Sequence, residues 1–388
     1  MAATDLRMKI CFLCNEYPPV RGGGIGVFTQ VLGRALAGAG HEVRVLGVIP
    51  PDLPVSEYEE DRGVRVWRLR RRLTHLAWVA ARYTLARTAA LWARRGEIDL
   101  LEAPDYQGWT AGWPRLAVPV VARLHGSLSY FVIEAGQRPG WFIYRAERAA
   151  LEGADSLCSV SRYTALRTSE IFRLRSRPIA VLHNPVEVPA EAPDPCGRSC
   201  DVVFSGTLAA KKGIQSLVRA WPLVAASCHG ATLHIFGKDA RAESGGSTRE
   251  ALERQLNGSG ATVQFHGHVP RETVLAALDS ARVAVFPSYA EAFALAPLEA
   301  MAHGCPTIYS RRGSGPELIR DGTDGLLVDP DDPRQIAAAI ERVLTEPGLA
   351  LRLGEAGRRR VCRDFSCDVL LRRNEQYYAA CLEAFHSQ

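Results

Sequence analysis

At 388 residues the chain is too long for one small core and suits two domains of similar size. Hydrophobic residues make up 47% and charged residues 23%, the balance of a globular protein, and no apolar run is long enough to span a bilayer. A net charge of only +5 argues against a nucleic-acid partner.

A few polar residues lead into the apolar strand MKICFLC with no small-residue cleavage site, which predicts a cytoplasmic chain. Short Val/Ile/Leu runs then alternate with Ala/Arg/Leu-rich helical stretches, the pattern of βαβ units and parallel sheets. The first half offers strands at MKICFLC, HEVRVLGV, GVRVWRL, DLLEAP, VPVVARL and DSLCSVS. The second offers DVVFSG, ATLHIFG, VQFHG, VAVFPS, PTIYS and GLLVD. Between them VEVPAEAPDPCGRSC is rich in proline and polar residues and reads as a linker. The expected organisation is a first domain over residues 1–185, a linker over 186–200, a second domain over 201–366 and a terminal helix over 367–388. Basic residues number 26 against 20 acidic over positions 1–199, and 21 against 22 over the remainder. The excess gathers in RVWRLRRRL and RTAALWARRG, which suits either a solvated helix face or peripheral contact with an anionic membrane. That contact would place the chain at the inner face of the membrane. The ten cysteines are scattered. Cys11 and Cys14, the one close CxxC pair, fall inside an apolar strand and read as buried thiols, not as a metal or redox site. Cys196 and Cys200, in the linker, would pair only in an oxidising compartment.

Four groups carry chemistry. The glycines of GGGIG at 22–26, Gly23 and Gly24 among them, follow the first strand and precede a helix, so backbone amides are open to a ligand. The spacing is not GxGxxG, and no acidic residue ends a second strand as NAD binding needs. His125 closes the strand VPVVARL ahead of Gly126, at a carboxyl end where ligands of α/β sheets bind. Lys211 and Lys212, after Gly206 and Thr207, supply cations able to offset charge on a departing diphosphate. Last comes EAFALAPLE at 291–299, where Pro297 suits a helix first turn, with Glu291 in the loop before the helix and Glu299 inside it. Even in a continuous helix the two carboxylates would stand about 12 Å apart, too far to share a proton. They read as two clamps on a long ligand, with the amides of Phe293, Ala294 and Leu295 offered to an anion between them. A nucleotide diphosphate sugar has that shape, one carboxylate meeting the sugar and the other the ribose.

EAFALAPLEAMAHGCPTI resembles the signature of the family-4 retaining glycosyltransferases, which have the GT-B fold. The likeness extends through GGGIG, HGS at 125–127, SRYTA at 161–165, HNPVE at 183–187, SGTLAAKKG at 205–213, FGKD at 236–239, FHGHV at 265–269 and GSGPELIRDGTDGLLVDP at 313–330. It implies an α/β chain with two Rossmann-like parallel-sheet domains facing across a cleft, the first for the acceptor and the second for the donor, with the terminal helix crossing back to the first. It also implies a hexosyltransferase acting with retention of anomeric configuration, with no metal and no other cofactor. By the same resemblance His125 faces the transferred sugar, Gly23 and Gly24 lie near the diphosphate, and Gly206, Thr207, Lys211 and Lys212 serve the phosphates. Gly267, His268 and Val269 edge the base. Family members usually carry Arg where Thr207 stands, which removes one bidentate phosphate contact; either Lys211 compensates or the donor is held more loosely. The donor is a UDP- or GDP-sugar, and the acceptor a glycan, a lipid-linked glycan or a small metabolite, in keeping with polysaccharide biosynthesis. Two other functions share this architecture: a non-hydrolysing nucleotide-sugar epimerase, for which no acid/base pair is found, and an inactive nucleotide-sugar-binding regulator.

Overall fold

A computed structural model of the chain describes residues 7–20, 22–71, 77–174, 177–191, 193–194, 197–241 and 245–387. Cys196 and the end of the basic run RVWRLRRRL lie outside the described residues. The chain divides into two compact units, Met1–Pro185 with Cys367–Gln388, and Val186–Ser366.

The first unit opens with β1 (Lys9–Leu13), α1 (Gly24–Gly38), β2 (Glu42–Ile49), β3 (Tyr58–Asp61), β4 (Val64–Arg70) and α2 (Ala77–Arg94). It continues with β5 (Leu100–Pro104), β6 (Val120–Leu124), α3 (Leu128–Glu134), α4 (Trp141–Gly153), β7 (Ser156–Ser159), α5 (Arg162–Phe172) and β8 (Ile179–Val181). Its eight strands run in the order β3-β4-β2-β1-β5-β6-β7-β8. All neighbours are parallel except β3 and β4. The central strands are mostly apolar because both faces are covered, with Arg44, Glu102 and Arg123 as buried charged exceptions. Along β1, Ile10 and Phe12 pack on one face with Phe28, Leu32 and Leu36 of α1. Cys11 and Leu13 pack on the other with Leu85, Ala89 and Trp92 of α2. The thiols of Cys11 and Cys14 are pushed up to about 12 by burial, as expected of inert packing groups.

The second unit holds β9 (Val202–Ser205), α6 (Ile214–Ser227), β10 (Leu233–Phe236), α7 (Thr248–Leu256), β11 (Val263–Gly267), α8 (Arg271–Ser280) and β12 (Val283–Phe286). It ends with α9 (Leu295–Ala302), β13 (Thr307–Ser310), α10 (Gly315–Leu318), β14 (Leu326–Val328), α11 (Pro333–Thr345) and α12 (Leu349–Asp364). Six parallel strands run in the order β11-β10-β9-β12-β13-β14. Val202, Phe204, Ile235 and Val285 of the sheet join Leu217, Trp221, Ile336 and Ile340 of α6 and α11 in one core. The last helix, α13 (Cys367–His386), belongs to the first unit, where Tyr378, Cys381 and Leu382 enter the core beneath α1.

Every strand expected from the sequence forms. Two further strands, β3 and β8, form at the edges of the first sheet. YEED is too acidic to read as a strand and pairs antiparallel through its backbone with β4. The three residues of β8 are too few to show a pattern, and all are only partly buried. Among the described residues no helix is long and apolar enough to cross a membrane.

Candidate active site

In open parallel sheets, ligands bind beyond the carboxyl ends of the strands where strand order reverses. In the first unit that point lies between β1 and β5. GGGIG follows β1, and α1 begins at Gly24 with Gly23 as its N-cap. A Cβ on Gly26 would lie 2.1 Å from the Glu16 carbonyl oxygen, so this turn admits only glycine there. The amide of Gly26 donates to Glu16 Oε1 at 2.9 Å. At this helix start, a carboxylate of the chain itself takes an amide that the sequence offered to a phosphate. Gly23 and Gly24 remain exposed, and a Cβ on Gly24 would meet nothing within 4 Å.

His125 directly follows β6. Its amide donates to Asp105 Oδ1 at 2.9 Å, Gly126 turns the chain with φ of +86°, and Ser127 caps α3 by accepting from the Tyr130 amide at 3.1 Å. Glu147, fully buried on α4, accepts from the amides of Gln107, Leu128 and Ser129 at 2.9, 2.8 and 3.0 Å. Two carboxyl groups therefore clamp the HGS turn from beneath. Asp105 is only 1% exposed, its Oδ2 has no hydrogen-bond partner, and burial raises its pKa to about 8 against the pull of the amides. The His125 ring meets Phe28 of α1 edge-on at 4.8 Å. Burial, reinforced by the Arg123 guanidinium, holds its pKa well below the usual histidine range. The ring is therefore held in its neutral form. Glu16, Asp105, Glu147 and Phe28 were not singled out from sequence. Of these only Asp105, an acid at the end of the strand DLLEAP, carries a readable signal.

In the second unit, strand order reverses between β9 and β12, and their following loops dock on each other. Gly206 leaves β9 with φ of +155°, and a Cβ on Gly237, after β10, would lie 1.8 Å from the Gly206 carbonyl oxygen. Thr207 is exposed, Leu208 donates to the Lys238 carbonyl at 2.9 Å, and a 3-10 turn over Ala210–Lys212 ends at Gly213. The Lys211 carbonyl accepts from the Tyr289 amide at 2.8 Å. Tyr289 is fixed in turn through its hydroxyl, 2.9 Å from Ser216 Oγ and 3.0 Å from the Pro330 carbonyl. These backbone contacts bring the Lys212 ammonium into a direct ion pair with Glu291.

Gly213 is what permits that approach. Its φ is +70°, and a Cβ there would stand 1.7 Å from the Pro287 carbonyl oxygen. Gly213→Ala is expected to cost on the order of 2–4 kcal/mol and to pull Lys212 away from Glu291. Denaturant unfolding checks this, and a midpoint equal to that of the parent would refute it.

Helix α9 starts at Leu295 with Ala294 as N-cap and no side-chain cap. The sequence reading placed Phe293 and Ala294 within the helix start. Phe293 precedes it and Ala294 is its N-cap; because Pro297 has no N–H, the amides without an intrahelical partner at this start are those of Ala294, Leu295 and Ala296. The Phe293 ring is buried and tilts against Phe365 at 6.0 Å. Glu299 lies inside α9, and its carboxylate accepts from Arg271 Nε at 2.9 Å and pairs with Nη2 at 2.8 Å. Arg271 also reaches Glu187 at 2.7 Å. The Gly267 carbonyl accepts from the Gly237 amide at 2.8 Å, joining FHGHV to FGKD. His268 is exposed beside it and Val269 half-buried, while His266 stacks on Phe236 at 4.3 Å and hydrogen-bonds His234 at 2.9 Å. Gly23, Gly24 and His125 thus fall in the first unit and every other candidate in the second. Arg271 and Tyr289 are positioning residues that sequence reasoning passed over. Among the described residues no group of three or more His, Cys, Asp and Glu is arranged to hold a metal.

Residues 22–188 match the model of Glycosyltransferase Family 4, and residues 199–346 match that of Glycosyl transferases group 1. A glycogen synthase of Mycobacterium tuberculosis is 29% identical over 96% of this chain and 95% of its own length. A GDP-mannose-dependent alpha-(1-6)-phosphatidylinositol monomannoside mannosyltransferase of Mycolicibacterium smegmatis is 29% identical over 89% of this chain and 91% of its own. Among solved structures, sucrose-phosphate synthase from Thermosynechococcus elongatus matches with a TM-score of 0.80 and 24% identity, covering 97% of this chain and all of that one. Anabaena HepE in complex with UDP and glucose matches at 0.73 and 17% identity, over 96% of this chain and 100% of that one. The fold is GT-B, and the protein is a glycosyltransferase. The chain belongs to glycosyltransferase family 4.

Proposed function

We propose that the protein transfers a hexosyl group from a UDP- or GDP-sugar to a hydroxyl of a carbohydrate or lipid-linked acceptor, with retention of configuration and without a metal. The observation that carries this reading is the Lys212–Glu291 ion pair at the carboxyl ends of β9 and β12, beside the uncapped start of α9. The relatives' printed activities, glycogen synthesis and GDP-mannose-dependent mannosyl transfer, support the donor and acceptor classes. The bond from the anomeric carbon to the diphosphate breaks, and the acceptor oxygen bonds that carbon on the same face. The acceptor proton passes to an oxygen of the departing diphosphate. Lys212 and the amides of Leu295 and Ala296 offset the charge that collects on that diphosphate. Glu291 orients Lys212 and accepts from sugar hydroxyls. We place the enzyme in the cytoplasm.

Labelled UDP-, GDP- and ADP-sugars incubated with glycan acceptors test this, the product anomer being read by NMR. Formation of an inverted product, of a free sugar epimer, or of no product with any donor overturns it. Glu299→Ala is expected to raise the donor Michaelis constant about tenfold with turnover nearly unchanged, because a ribose contact exists equally in ground and transition states. An equal loss in both parameters contradicts a ribose role.

A further inference from the structure

The first unit carries 27 basic against 20 acidic residues, the second 20 against 22. Within the first, α2 has three arginines and no acidic residue over its 18 positions. Val79, Tyr83, Arg87 and Leu91 follow one another at i, i+4 spacing, so they form a single row along the helix, and all four are exposed. Tyr83 is 67% exposed. At the start of the same helix Trp78 meets Phe142 edge-on at 5.1 Å, which ties the row to the first turn of α4. There Trp141 and Phe142 are 74% and 56% exposed, and the Arg145 guanidinium lies 5.7 Å from the Trp141 ring. Large aromatics this exposed are unusual on a surface that meets only water.

Beside the row runs a groove of about 710 Å³ between α2 and the end of β4, lined by Leu69, Arg71, Tyr83, Arg87 and Leu91 among others. Arg70 and Glu57, also on its wall, neutralise each other through a contact of 2.8 Å. Arg71 and Arg87 have no acidic partner among the described residues, and the buried Nε of Arg71 has no hydrogen-bond partner. Exposed aromatics flanked by uncompensated arginines match the boundary of an anionic bilayer, where rings sit at headgroup level and guanidinium groups meet phosphates.

We propose that this face of the first unit, the α2 row with Trp141 and Phe142, docks on an anionic lipid surface. A neutral glycan stacked on Trp141 would use the rings and leave the arginines idle, so the charge pattern selects the bilayer. Binding is read without turnover, so its failure is separate from failure of the proposed transfer reaction.

The full chain is to be co-sedimented with vesicles of phosphatidylcholine alone and of phosphatidylcholine mixed with phosphatidylglycerol. Binding is expected to the anionic vesicles only and to weaken as salt is raised. Trp141→Ala with Phe142→Ala lowers the partition coefficient about tenfold, and Arg87→Ala lowers it about fivefold. Arg359→Ala, on α12 of the second unit, leaves it unchanged. All the substituted side chains are exposed, so thermal melts of the variants should match the parent. Equal binding to neutral vesicles, no sedimentation with either, insensitivity to the three substitutions, or retention by a soluble glycan matrix in place of vesicles overturns the proposal.

Discussion

Lys212→Ala is expected to lower turnover by about 100- to 1,000-fold while the donor Michaelis constant moves only a few-fold. In the proposed reaction the ammonium, which faces a carboxylate in the free enzyme, pairs more strongly with the diphosphate as negative charge grows on the leaving group. Removing it withdraws that stabilisation at the moment it is needed. It also leaves the Glu291 carboxylate, already partly buried, without its direct ion-pair partner and with only the pull of Lys211. Two losses therefore act together. Lys212→Arg keeps the charge but replaces a compact ammonium by a longer planar fork, and should fall between parent and alanine. Single-turnover rates with saturating donor separate binding from chemistry. A Lys212→Ala enzyme with unchanged turnover and a large rise in Michaelis constant would assign the lysine to ground-state binding alone. In a double-mutant cycle with Glu291→Gln the effects should be less than additive, since each residue acts through the other.

Arg123→Ala is expected to cost about 3–5 kcal/mol of stability, read from denaturant unfolding. Arg123 is fully buried on β6. Its Nε and Nη2 each donate to Glu102 at 2.8 Å, Nη2 also donates to Asn374 Oδ1 at 2.6 Å, and Nη1 reaches the Leu182 carbonyl at 3.3 Å. Tyr378 donates to Glu102 at 2.8 Å. Alanine would strand Glu102 as a lone buried charge and leave Asn374 with an unmet acceptor. The paired change Arg123→Met with Glu102→Leu removes both charges and should recover much of the loss. A single alanine variant as stable as the parent would mean that water or a neighbour replaces the guanidinium. Because Asn374 and Tyr378 lie on α13, Arg123→Ala should also make residues 367–386 more open to proteases.

The sheets were readable because their central strands are buried and show as short, mostly apolar runs, such as ICFL within β1 and VAVF of β12. The edges were not, since YEED of β3 is held by backbone pairing that no side-chain pattern reports. At the site, Pro297 placed Glu291 before a helix and Glu299 within it, but the partner of each was invisible. Lys212 stands 79 positions from Glu291, and Arg271 28 from Glu299. Nothing local encodes such pairs; the docking of Gly213 on Pro287 and of Lys211 on Tyr289 does. The Glu16 carboxylate at the start of α1 was missed for a related reason. A helix start rich in glycine advertises free amides, and only the course of the loop after β1 shows that the chain fills one itself.

The assignment of α13 to the first unit sets the order in which that unit can be completed during synthesis. Its eight strands leave the ribosome well before Asn374 and Tyr378 exist, so the guanidinium of Arg123 and the part of the α1-side core that Tyr378, Cys381 and Leu382 complete stay uncovered while the whole second unit is being made. Native packing of the first half is thereby deferred until the second has been translated, and a nascent chain halted in between would present an unfinished core to chaperones and proteases.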